Sequence, residues 1–349
     1  MKIPLSALAL ALALCGCAAP RVAAPAAASY SNPVLDADFP DPAVLRAADG
    51  VFYAYATQTT TQDGRSVNIQ VASSRDLVSW THLGDALPAK PAWASRTQDF
   101  WAPHVAEHDG RFYMYYSAKP DAALTDQSRG LCLAVATAER PEGPFTDVGR
   151  PLQCGPGFVN IDPMSFDDPR TGRRLLYWGS GFGPIKVQEL AENRISFAPE
   201  SAPVDLIAVD ATDSPENYRR LVEGAWVIWR EPYYYMFLSG DNCCGPNIHY
   251  AAMIARSRSA TGPFELLPGT ILSRTERWIG PGHNSVVRDA RGTDWIVYHA
   301  VDAGRPRTRE TDEVNTRRVM LIDRIEWVNG WPRIVRPSEG AQRAPALRR

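Results

Sequence analysis

A chain of 349 residues, 45% hydrophobic and 22% charged, carries enough apolar material for one large core or two smaller ones, which excludes disorder over most of its length. Its formal net charge of -2 gives no reason to expect nucleic acid or an anionic lipid surface as a partner. A neutral ligand is the default.

The first twenty residues, MKIPLSALALALALCGCAAP, hold a single basic residue, Lys2, then an apolar run over 5–14 that is short for a bilayer span, then small residues. This is the pattern of an export signal. The segment LCGC resembles a bacterial lipoprotein cleavage box, in which the cysteine after Gly16 becomes the lipid-bearing first residue of the mature chain. That resemblance makes 1–16 a signal peptide and Cys17 the sole membrane anchor of an exported cell-envelope lipoprotein. The alternative is plain secretion, with cleavage among the alanines that follow. The Ala/Pro-rich stretch to residue 30 has little to bury and reads as a flexible tether. In an oxidising compartment Cys132, Cys154, Cys243 and Cys244 can pair. No C-x-x-C spacing points to zinc, and the adjacent Cys243 and Cys244 are either a strained bridge or two free thiols.

From residue 31 onward the chain repeats itself. Aromatic, alternating segments recur in order: DGVFYAYATQ, DGRFYMYYSA, RRLLYWGSG, EPYYYMFLSG and GTDWIVYHAV. Each reads as a strand, most are followed by a second alternating segment, and two GPF turns recur downstream. Nothing has the 3.6 period of a long amphipathic helix. Five such units predict an all-β, five-bladed propeller over 31–337, with 338–349 as a C-terminal tail.

Asp41, Trp101, Asp162, Glu223 and His283 follow one another at intervals of about sixty residues, each just ahead of an aromatic strand. Equivalent positions in a propeller converge on its axis, so three carboxylates far apart in sequence are expected in one central pocket. Glu223 is the most telling of them, a lone acid in the apolar run LVEGAWVIW. The bland reading is a solvated strand face. The sharper one is a desolvated carboxyl whose raised pKa lets it donate a proton near neutral pH. Three acids with aromatic neighbours such as Trp101 and Trp226, and no phosphate-binding loop, suit chemistry on a neutral polyhydroxylated ligand. Glycosidic hydrolysis needs two carboxyls of opposite protonation.

The segments FPDPAVL, WAPHV, NIDPMSFDDP, EGAWV, GPGHNSVV and LIDRIEWVNGWP together resemble glycoside hydrolase family 43, over residues 31 to about 337. The resemblance implies inverting hydrolysis of arabinans, arabinoxylans or xylans by a monomer. It implies Asp41 as general base, Asp162 as modulator of pKa and orientation, and Glu223 as general acid. Beside the resemblance, the aromatic faces of Trp101 and Trp226 can pack on the sugar rings of the polysaccharide, and Arg318 resembles an arginine that approaches the catalytic centre, although Arg317 beside it leaves the register open. His283 is implied as a channel residue that helps hold a calcium or other ion through water, against a core histidine with satisfied hydrogen bonds. Ala225, where many members have Pro, and His104, where many have an acid, depart from the pattern. GPGHNSVVRD with WIVYHAVD looks closest to the arabinan-degrading members, with a β-xylosidase as the alternative. The fructan-acting propellers carry different acid motifs, and a non-catalytic sugar-binding lipoprotein would not need all three acids.

Overall fold

The computed structural model describes residues 28–61, 63–307 and 316–347. The expected signal, the anchor at Cys17 and all but the end of the tether lie outside them. Five antiparallel sheets follow one another in sequence. They run over Ala43–Arg46 to Thr81–Asp85, Phe100–His108 to Gln153–Cys154, Met164–Asp167 to Val204–Ile207, Val222–Arg230 to Glu265–Leu266, and Trp278–Arg288 to Arg318–Arg324. The main strands of each sheet pair antiparallel with their neighbours in chain order, the up-and-down order of a propeller blade; in blade 2 the last two short strands, Thr146–Asp147 and Gln153–Cys154, both pair with Cys132–Ala138. The all-β, five-bladed expectation holds.

Alternation of apolar residues along the strands gives every blade two apolar faces, and the core is accordingly divided into five clusters. One joins Tyr55 and Val71 of blade 1 to Phe100 and Met114 of blade 2; another joins Tyr115 and Leu133 to Leu176 and Trp178 of blade 3. The other three lie between blades 3 and 4, 4 and 5, and 5 and 1. Five interfaces with five clusters close the ring without a free apolar face.

Ring closure uses both ends of the chain. Val34 and Leu35 donate to Met320 O at 3.0 and 3.4 Å, and Phe39 donates to Arg318 O at 2.8 Å, so the N-terminal segment lines the outer edge of blade 5. That edge would otherwise present unpaired backbone groups. Beyond it, Ser29–Tyr30 pairs with Gln342–Arg343, and the Tyr30 side chain is buried with its hydroxyl on Ile322 O. A short strand pair thus flanks the expected propeller limits of 31 and 337, one strand from each end of the chain. Cys132–Cys154 bridges two paired strands of blade 2, and Cys243–Cys244 is a vicinal bridge in a blade 4 loop.

Candidate active site

Each blade's first strand has one residue in the left-handed region near it: Asp41 (φ 59°) and Asp162 (φ 60°) just ahead of the strand, Ala102 (φ 45°), Gly224 (φ 62°) and His283 (φ 45°) within it. Trp101 and Glu223 stand one position before this residue, so the expected equivalence of all five polar positions is off by one in blades 2 and 4. The kink turns this residue's own backbone N–H toward the preceding blade, where a side chain in or just past the second strand receives it at four of the five interfaces. Ala102 N donates to Thr57 Oγ1 (2.8 Å), Asp162 N to Ser117 Oγ (3.1 Å), His283 N to Ser239 Oγ (2.8 Å) and Asp41 N to His299 Nδ1 (3.0 Å). The interface between blades 3 and 4 departs from this. There Gly224 N donates to the Asp162 carboxylate (3.1 Å), and the second-strand hydroxyl of Ser180 donates to Glu223 Oε2 (2.7 Å). Gly224 is required twice over: by its positive φ, and because a Cβ would stand 3.3–3.5 Å from the His283 ring.

The three acids meet as expected, all buried. Glu223 also accepts from Tyr250 OH at 2.9 Å, and a carboxylate oxygen each from Asp162 and Glu223 lies within 4.8 Å of a His283 ring nitrogen and of the other. His283 Nδ1 is 3.4 Å from Asp41 Oδ1 and 3.8 Å from Asp162 Oδ2. Arg318 Nη1 donates to Asp41 Oδ1 at 3.0 Å and Thr57 Oγ1 donates to Oδ2 at 2.5 Å. The open register is thereby settled: Arg318, whose own N–H is held by Asp38, enters the centre, whereas Arg317 pairs with Asp36. Trp101 is half-buried and directly precedes Ala102, whose N–H is held by the Thr57 hydroxyl that also donates to Asp41. Trp226, half-buried, packs with the apolar clusters on both sides of blade 4 and against the His104 ring of blade 2 (centroids 5.1 Å). It stands three residues past Glu223, beyond the backbone irregularity there.

The electrostatics divide the acids. Burial alone would raise Asp41, but Arg318, His283 and His299 together outweigh it and hold the carboxyl well below its ordinary value. Glu223 goes the other way. Burial pushes it up to about 7 against the opposing Ser180 and Tyr250 hydroxyls, with the Asp41 charge adding to the rise. Asp162 is likewise pushed well up, by burial first and then by Glu223 and Asp41. Asp162 and Glu223 therefore titrate as one pair that retains a proton near neutral pH. The histidines are neutral there: burial takes His299 down to about 4 and His104 to about 3, and it lowers His283 also. This is one ionised carboxylate beside a proton-holding pair, the division of labour that acid/base chemistry on one bond requires.

His299, Ser180, Tyr250 and Thr57 were not picked out by the sequence reading. The signal was present, since Thr57, Ser117, Ser180, Ser239 and His299 also recur near the sixty-residue interval, one strand later than the acids. As for an ion, Asp162, Glu223 and His283 offer a small donor set with one nitrogen, and the Glu223 oxygens already accept two hydroxyls. Calcium takes six to eight oxygens. These residues do not fit direct calcium ligation; His283 would meet such an ion only through water, and no chemical step is routed through it.

Comparison with known proteins agrees with this geometry. The model of Glycosyl hydrolases family 43 matches residues 30–332. The extracellular exo-alpha-(1->5)-L-arabinofuranosidase ArbA of Cellvibrio japonicus (strain Ueda107) is 26% identical over 95% of this chain and 91% of its own. The beta-D-galactofuranosidase xynD of Aspergillus niger (strain ATCC MYA-4892 / CBS 513.88 / FGSC A1513) is 31% identical over 84% and 81%. The crystal structure of a thermostable family-43 glycoside hydrolase superposes with a TM-score of 0.73 at 28% identity, over 91% of this chain and all of that one. With five blades, three axial acids of divided protonation and a family match over most of its length, the chain belongs to glycosyl hydrolase family 43.

Proposed function

We propose that this glycoside hydrolase cleaves arabinan or arabinose-decorated polysaccharide with inversion, using Asp41 as general base, Glu223 as general acid and Asp162 as the partner that keeps Glu223 protonated. The observation that carries the assignment is the opposite displacement of Asp41 and the Asp162–Glu223 pair. Asp41, ionised against Arg318, can take a proton from water; the pair holds the proton that the departing oxygen needs. The Asp162 role is refined relative to the family expectation, since its own carboxyl is raised and shares the proton rather than standing as a fixed charge. Both relatives named above are furanosidases by name, which supports a five-membered sugar ring as the group transferred; a β-xylosidase is the alternative within the family. Trp101 is proposed at the sugar, and Arg318 acts on Asp41 in addition to any substrate contact. The resemblance at Cys17 supports a lipid-anchored, exported protein, and ArbA is described as extracellular.

The test is turnover of linear arabinan, arabinoxylan, and aryl α-L-arabinofuranoside and β-xyloside, with the released anomer followed by NMR before mutarotation. A retained anomer refutes the inverting scheme. Glu223→Gln should lower turnover by about 10²–10⁴-fold on natural oligosaccharides, whose leaving groups need a proton, and much less on an aryl glycoside. Asp41→Asn should suppress both alike. Equal losses on the two substrates in folded Glu223→Gln would remove Glu223 from the acid role.

A further inference from the structure

Phe182 is the only exposed aromatic side chain among the described residues, at 66% relative exposure, and its backbone is left-handed at φ 64°. A bulky residue in that region costs about 1–2 kcal/mol, and an exposed ring recovers little of it through burial. Stability therefore gives no reason for a phenylalanine here. Location does. Phe182 lies two residues past Ser180, whose hydroxyl holds Glu223, and its ring packs edge-on against Phe158 (centroids 5.9 Å), four residues before Asp162.

The two loops that carry these rings are tied together. Gly179 N donates to Ile161 O at 3.0 Å, and Trp178 Nε1 donates to Asn160 Oδ1 at 3.1 Å. Gly181 lies so close to Val159 that a Cβ would stand 2.9 Å from its backbone nitrogen. The aromatic pair is thus fixed to the stretches that position both members of the proton-holding pair. An aromatic face at that place matches the apolar C–H face of a sugar ring.

We propose that Phe182, backed by Phe158, is a stacking platform for the leaving-group sugar, on the side of the scissile bond that receives the proton from Glu223. This rests on the acid role given to Glu223 above. The platform binds the part of the chain that departs and has no contact with the sugar that is attacked.

The test compares Phe182→Gly and Phe182→Tyr with the parent protein on two substrates of the same transferred sugar, an oligosaccharide and the methyl glycoside. Glycine suits the left-handed backbone, so the loop survives while the ring is lost. Phe182→Gly should lower kcat/KM on the oligosaccharide about tenfold more than on the methyl glycoside, as a stacked ring contributes roughly that factor, and Phe182→Tyr should restore it. Equal losses on both substrates would show that the loop acts through Ser180 on Glu223 and would overturn the platform, as would no loss on either. If the parent hydrolyses neither arabino- nor xylo-substrates, the functional reading fails separately. Retardation in native gels containing arabinan or xylan then decides: lost in Phe182→Gly it supports the platform, and unchanged or absent in the parent it overturns it.

Discussion

Arg318→Met removes the cation that keeps Asp41 ionised, and its consequence can be worked from the contact. The guanidinium nitrogen stands 3.0 Å from Oδ1, with both side chains at 15% or less exposure. At an effective dielectric of about 20, such a pair is attracted by roughly 5 kcal/mol, an upper bound because water and the Thr57 hydroxyl take over part of the loss. Pairs of this kind shift a carboxyl by about one to three pKa units, each worth about 1.4 kcal/mol. Burial, no longer opposed, then pushes Asp41 upward. Because Asp41 works ionised, activity is lost as pH falls through its pKa, so the acid limb of kcat/KM against pH should move up by about one to three units. Arg318→Lys should fall between. The profile is measured from pH 3 to 8 on a soluble oligosaccharide. A uniform drop with an unmoved acid limb would show that Arg318 contacts substrate alone and does not set Asp41.

Ser180→Ala removes a hydroxyl that stabilises ionised Glu223, so the proton-holding pair should titrate higher. The alkaline limb, expected near 7 in the parent because the pair must keep its proton, should move up by about one pH unit; a downward shift would contradict the donor geometry. Cys17→Ala should release the protein from the membrane fraction into the soluble one, and identical partitioning of parent and variant would refute lipidation at that residue.

The acids and the blade count were legible because both ride on strong local signals. A carboxylate in an apolar strand such as LVEGAWVIW is conspicuous, and five aromatic strands at one interval define a ring. What stayed hidden depends on which strand faces which across a blade interface. Ser180 and His299 look like ordinary alternating strand residues until the propeller twist sets them against the next blade's first strand. The contact of Trp226 with His104 of blade 2 was hidden for the same reason, since the two rings are far apart in sequence and meet only once the ring of blades closes. The pairing of Ser29–Tyr30 with Gln342–Arg343 was hidden because the two strands come from opposite ends of the chain, and neither has a pattern that names the other.

The acid in that apolar run has a structural origin. Around the ring, a second-strand side chain of one blade receives a turned-in N–H of the next at four interfaces, and two of those side chains, Thr57 and His299, also face the Asp41 carboxylate. Between blades 3 and 4 the same two partners are redirected: the hydroxyl goes to Glu223, and the N–H goes to Asp162. Neither group is left without a partner, so the redirection adds no buried orphan to the interface. It does bring two carboxyls together where water is scarce, and they are stable there only by sharing a proton. The proton-holding pair is thus an altered copy of the joint that closes the other blades. Its raised pKa follows from where the joint lies, on the axis beside an ionised Asp41.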